Sequence, residues 1–293
     1  MRIVNGLLLL VALAVAPGLR ILPAAELQPA TRSAWQAYLQ TAQARTQARL
    51  AEGAHFLWTD EGAGREQMLH DGSILVSPGT GNGTQAVPGG LIHDWIATMF
   101  IPNANLAGVL RVAHDYGDYK QFYKPAIVDS KLLASAGGEG SFEMRSLHRV
   151  LLMTAVMDSR FVTQDVPVDG KRWYIVADAT RVQEVENYGQ PNQRVLPPDQ
   201  GKGYIWRLHT VTRYEERNGG VYVEMETIAL SRDVPVAVRW MVNPVVAHFS
   251  RTELMTSLRK TREAVTAGLG AERHAKDSVA DTSTTVVAGG GQE

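Results

Sequence analysis

The stretch Arg213-Tyr214-Glu215-Glu216-Arg217-Asn218-Gly219-Gly220-Val221-Tyr222-Val223-Glu224 turns back on itself at Asn218-Gly219. Both central residues of a two-residue hairpin turn need positive φ, and Asn-Gly meets that need with little strain. The turn joins a strand expected from Tyr204 to Glu216 with one from Val221 to Ser231, and it sets their register. Glu216 then opposes Val221, Tyr214 opposes Val223 and Thr212 opposes Met225, with Thr210 against Thr227, Leu208 against Ala229 and Trp206 against Ser231. Successive side chains alternate between faces, so one face holds apolar, aromatic and hydroxyl groups. The other holds Arg213 opposite Glu224, with Arg207, His209 and Glu226 nearby, and reads as the polar side.

Further turns divide the preceding chain into strands. Gly137-Gly138 separates Ile127–Ser135 from Phe142–Met153, Asp158 marks an expected bend, and Asp169-Gly170 joins Arg160–Val168 to Lys171–Glu184. Leu91–Ile101 is an apolar run ended by Pro102, followed by a short helix with Asn103 or Asn105 as its cap and a second helix through Gln121–Tyr123. Residues 187–203 are rich in Pro, Gly, Gln and Asn and read as a long loop, a composition common in lids and mouths. A short helix is expected from Val234 to Val242 with a break at Asn243-Pro244. The final helix then restarts at Ser250, where Glu253 completes a capping box and Leu254, Leu258, Thr261 and Val265 share one side.

The amino terminus carries an address. Residues 3–19 are uncharged, follow Arg2 and centre on Leu7–Ala16, a hydrophobic block shorter than a membrane span. This predicts a secretory signal over residues 1–25 and an exported protein, periplasmic or secreted, or one anchored at its N-terminus if the signal is not cleaved. Ala34, Trp35, Tyr38, Leu39, Ala42, Thr46 and Leu50 recur at helical spacing and predict a helix packed on the main domain. Residues 26–88 thus form an N-terminal helix with a small β extension, and residues 269–293 an aperiodic tail read as disordered.

The chain has 293 residues, 45% of them hydrophobic, enough for a full core. Without residues 1–25 it holds 27 basic and 30 acidic side chains, a balance that gives no electrostatic reason to expect nucleic acid or an anionic membrane as the main partner. The absence of cysteine excludes disulfides, thiolate metal sites and cysteine nucleophiles. His148, His209 and His248 lack metal spacing, so no metal or other cofactor is expected. No Walker sequence or Gly-x-Ser-x-Gly elbow occurs, and no catalytic residue is assigned. His93-Asp94 has suitable residue types for acid-base work, yet adjacent strand residues point to opposite faces. Tyr116, Tyr119, Phe122 and Tyr123 form an aromatic cluster, read as a satellite core in preference to a cavity mouth.

Asp115-Tyr116-Gly117-Asp118-Tyr119-Lys120-Gln121-Phe122-Tyr123-Lys124-Pro125 and Asp233-Val234-Pro235 through Leu258 resemble segments of the START-like superfamily, the helix-grip or polyketide-cyclase-like fold. The element order over residues 89–268 is similar too: one strand, two short helices, six antiparallel strands and a long helix. The resemblance implies an α+β fold whose curved antiparallel sheet wraps around the C-terminal helix. Members of that superfamily bind lipids, sterols, quinones or polyketides between sheet and helix, and some are cyclases or hydratases.

The expected ligand is therefore a hydrophobic or amphiphilic small molecule. Its expected contacts are Trp173, Arg181, Trp206, Leu208, Thr210, Thr212, Tyr214, Val223, Met225, Thr227, Leu254 and Leu258. Arg181 shares parity with Trp173 and Ile175 and is a candidate for an acidic ligand group, with pairing to Glu143 as the alternative. Two other readings stay open. One is a cyclase- or hydratase-like enzyme in the same cavity, using cavity tyrosines, Arg181 or His93 and marked by a polar group of perturbed pKa at its inner end. The other is an interaction module with a filled core.

Overall fold

The computed structural model describes residues 25–150, 153–233 and 236–268, and within these the side chains of 150, 153 and 236–249 are left out. The expected signal, apart from Ala25, and the expected tail lie outside the described residues. Strand β1 (Ala25–Glu26) leads into helix α1 (Pro29–Ala48), α2 (Arg65–His70) and the short strands β2 (Leu75–Pro78) and β3 (Thr84–Val87). The main domain then runs through β4 (Gly90–Pro102), α3 (Leu106–His114), α4 (Tyr119–Phe122), β5 (Ile127–Ala136), β6 (Glu139–Val150), β7 (Met153–Pro167) and β8 (Arg172–Glu186). Two short strands, β9 (Arg194–Val195) and β10 (Gln200–Gly201), precede β11 (Arg207–Arg217), β12 (Gly220–Arg232) and helix α5 (Val236–Thr266).

Every pairing is antiparallel, and the main sheet has the order β2-β4-β12-β11-β8-β7-β6-β5. The first strand of the domain lies beside its last, and α5 packs across β4, β12 and helices α3 and α4. The fold is a helix grip, an antiparallel sheet packed against a long C-terminal helix. Asn218 and Gly219 have φ of 54° and 78°, and the ladder follows the expected register from Glu216–Val221 to Leu208–Ala229. Asn105 caps α3 by accepting from the Gly108 N–H at 2.8 Å.

Three local expectations are corrected. Asp158 lies inside β7, held opposite Arg145 by a two-pronged ion pair, and the β6–β7 ladder runs unbroken past it from Glu139–Gln164 to Val150–Met153. Helix α5 is continuous through Asn243, Pro244 and Ser250, so Ser250 is not an N-cap and Glu253 pairs with His148 at 3.1 Å. A proline costs a helix one backbone bond and roughly 3 kcal/mol, a loss that a 31-residue helix packed along a sheet absorbs. Residues 187–203 are not a mouth: β10 pairs with β1, Asp199 binds Arg207 and Arg32, and the loop clamps the N-terminal segment.

The largest correction concerns the polar face. Arg213, Glu224, Glu226 and His209 are 1%, 0%, 3% and 1% exposed, because α1 and residues 54–70 cover that side of the sheet. Trp35, Tyr38 and Ala42 of α1 pack with Ile92, Trp206, Ile228 and Leu230. Beside them Arg213 bonds Glu224 and Glu226, and donates to Thr46 Oγ1 of α1 at 3.0 Å. Arg45 of α1 reaches Asp94 at 2.7 Å and Glu226 at 2.9 Å. Burial pushes the Glu226 carboxyl up, but Arg213 and Arg45 outweigh it and hold it below its ordinary value. For Glu224, buried beneath the Trp58 N–H, burial wins and the carboxyl is raised.

Removing Arg213 leaves the buried Glu224 without its bonded cation and Glu226 with Arg45 alone, a loss of about 3–5 kcal/mol. We predict that Arg213→Met lowers the urea unfolding free energy by about that amount; stability equal to wild type would show that the ion layer does not hold α1 to the sheet.

Candidate ligand cavity

The face of β11 and β12 opposite the ion layer lines a cavity of about 340 Å³ beneath α5. Thr210, Met225 and Thr227 sit in the middle of a ten-stranded sheet under a helix, yet are only partly buried. A filled core would leave them no exposure, so their accessible surface measures the hollow. The volume is at the lower end of small-molecule sites, and the lining is mainly apolar.

Of the expected contacts, Leu208, Thr210, Thr212, Tyr214, Val223, Met225, Thr227 and Leu254 line the cavity. Four do not. Leu258 is fully buried in the core that anchors α5. Trp173 packs against the same core and donates from Nε1 to Asp165 at 3.2 Å, outside the lining. Trp206 precedes the first residue of β11 and packs behind the sheet with Trp35 and Leu230. Arg181 faces outward, bonded to Glu143 at 2.7 Å. A β-bulge explains it: Phe161 pairs with Ala179 but Arg160 pairs with Arg181, so Thr180 is skipped. The inward parity passes from Ala177 to Val182, which lines the cavity in the place assigned to Arg181.

Other lining groups come from the segment after α3 and from β6 and β7. Tyr116 stacks on Phe142 at 4.5 Å between ring centres, and Phe142 stacks on Phe161 at 4.9 Å. With Tyr119 and Tyr123 they form one wall of the hollow, so the aromatic cluster is at once satellite core and cavity lining. Burial pushes Tyr116 up to about 12 and raises Tyr119 and Tyr214 well above the ordinary phenol value. These hydroxyls stay protonated at neutral pH and act as donors.

His93 also lines the cavity, with Nε2 2.9 Å from Ser231 Oγ and Nδ1 lacking a partner. Burial lowers its pKa to about 4, so it is neutral at pH 7. Asp94 points to the opposite face, where it accepts from Tyr38 and Arg45, so the two form no dyad. The other charged lining residues lie on the helix side: Glu253 against His148, and Lys260 bound to Glu263 at 2.7 Å. Among the described residues no three His, Asp or Glu side chains gather as a metal-binding group, and no helix is long and apolar enough to cross a membrane.

No protein-family model and no curated protein matches the chain. Solved structures similar to it include a STAR-related lipid transfer protein fragment from Xanthomonas axonopodis, 19% identical over 62% of this chain and 98% of that one, with a TM-score of 0.40. The Zhui aromatase/cyclase from Streptomyces sp. R1128 is 10% identical over 62% and 98%, with a TM-score of 0.43. Human STARD10 is 10% identical over 80% and 89%, with a TM-score of 0.42. At these scores the likeness carries no argument about ligand or chemistry. The fold is assigned from this chain's own strand order and helix placement.

The His93 environment has a consequence for stability. The unfolded imidazole takes a proton near pH 6.5 and the folded one only near 4, so stability is full above pH 6.5 and falls as pH drops toward 4, by roughly 3 kcal/mol. We predict that His93→Gln flattens the pH 4–6.5 segment of the stability profile by that amount. An unchanged slope would show that His93 is already protonated in the folded protein.

Proposed function

We propose that this protein binds a hydrophobic or amphiphilic small molecule in the cavity between the sheet and α5. The observation that carries the reading is the hollow itself: partly exposed Met225, Leu208 and Thr210 at the centre of a covered sheet. Apolar burial supplies the affinity, at about 0.8 kcal/mol per methylene, so a short acyl or ring system suffices without a charged anchor. The proposed setting is outside the cytoplasm, on the strength of Arg2 and the Leu7–Ala16 block. In this reading residues 26–88 cover the back of the sheet and residues 89–268 form the binding domain.

A second reading, a cyclase- or hydratase-like enzyme in the same cavity, draws support from His93, a lining group with a perturbed pKa. Its low basicity weakens it as a general base at neutral pH, so binding is the preferred reading.

Native mass spectrometry of the purified protein is expected to show a co-purified lipophile, or uptake from a broad lipid panel. Met225→Trp, which fills the hollow from the sheet side, is expected to cut occupancy about tenfold or more while the protein stays folded. Protein that emerges empty and binds nothing in the panel would overturn the proposal.

A further inference from the structure

The strand register places a polar row across the floor of the cavity. Trp95 of β4 opposes Thr227 of β12, Thr227 opposes Thr210 of β11, Thr210 opposes Ala177 of β8, and Ala177 opposes Thr163 of β7. All five line the cavity. Beyond Thr163 the row ends on Gly140 of β6 and the Tyr116 hydroxyl, which donates to Thr163 Oγ1 at 3.3 Å. The flanking rows run Ala97, Met225, Thr212 and Ile175 to Asp165 on one side, and His93, Ala229 and Leu208 on the other.

Two positions in this row have unused hydrogen-bonding capacity. Thr210 and Thr227 face each other, are partly exposed to the hollow, and have no side-chain hydrogen-bond partner among the described residues. Trp95 Nε1, at the end of the row, is buried without a partner as well. A threonine hydroxyl both donates and accepts, so the pair suits an oxygen of either kind. The same floor repels charge: β7, β8, β11 and β12 contribute no ionisable side chain other than Tyr214, and the His93 imidazole is neutral. Seating a carboxylate or phosphate there would bury an unpaired charge.

Resting on the cavity reading, we propose that the ligand is an uncharged lipophile bearing a hydroxyl or carbonyl oxygen, which bonds the Thr210–Thr227 pair. The apolar remainder then lies along Met225, Leu208 and the Tyr116–Phe142–Phe161 wall. Selectivity against acidic lipids follows from the lack of a cation on the floor; the lining Lys260 lies on the helix side, already bound to Glu263.

The test compares decane, 1-decanol and decanoate in binding to the full chain and to Thr210→Val/Thr227→Val, which keeps side-chain shape and removes both hydroxyls. For 1-decanol the expected result is about tenfold weaker binding to the variant, the loss of one to two hydrogen bonds. Decane, which makes none, is expected to bind both proteins within about twofold, and decanoate more weakly than 1-decanol to the wild type. Decanol binding unaffected by the variant, decane and decanol weakened equally, or decanoate preferred to decanol would each overturn the assignment. If none of the three probes binds the wild type, the cavity reading falls and this one with it.

Discussion

The register of one hairpin governs both sides of the molecule. Because a strand alternates faces residue by residue, a turn that seats Thr212 opposite Met225 also seats Arg213 opposite Glu224. A slip of one residue would turn Arg213 into the hollow and Met225 into the ion layer. The cavity floor and the buried charges behind it are therefore consequences of the same Asn218–Gly219 geometry.

This coupling gives the N-terminal segment a role beyond covering surface. Helix α1 brings Arg45 and Thr46 to the charges that the hairpin buries, and Tyr38 to Asp94 beside the cavity-facing His93 and Trp95. The cavity strands are braced from behind by ion pairs and apolar contacts, while their front faces stay under-packed. A sheet that must keep a hollow on one side draws its stability from the other.

Much of this was legible in the sequence because local chemistry dictated it. The Asn-Gly turn fixed the register of β11 and β12, the Trp35–Tyr38–Ala42–Thr46 spacing marked a packing helix, and the alternation on β11 from Leu208 to Tyr214 identified a cavity wall. What was missed depends on distant partners. The bulge that skips Thr180 reverses parity within β8, and nothing near Arg181 announces it. The charged face reads only as the polar side because Arg213 and Glu224 find their cover in a segment about 165 residues away in sequence. Pro244 suggested a helix break that long-range packing overrides. Phe142, Phe161 and Val182 joined the site only once β6, β7 and β8 were placed against one another.

The central claim is an unfilled space lined by Met225 of the sheet and Leu254 of the helix. Crystals pressurised with xenon test it most directly, since the gas occupies apolar voids of this kind. The account predicts xenon density beside Met225 and Leu254, among Leu208, Phe161 and Ile175. Crystals with no internal xenon, and with Thr212, Met225 and Leu254 in mutual contact, would contradict it.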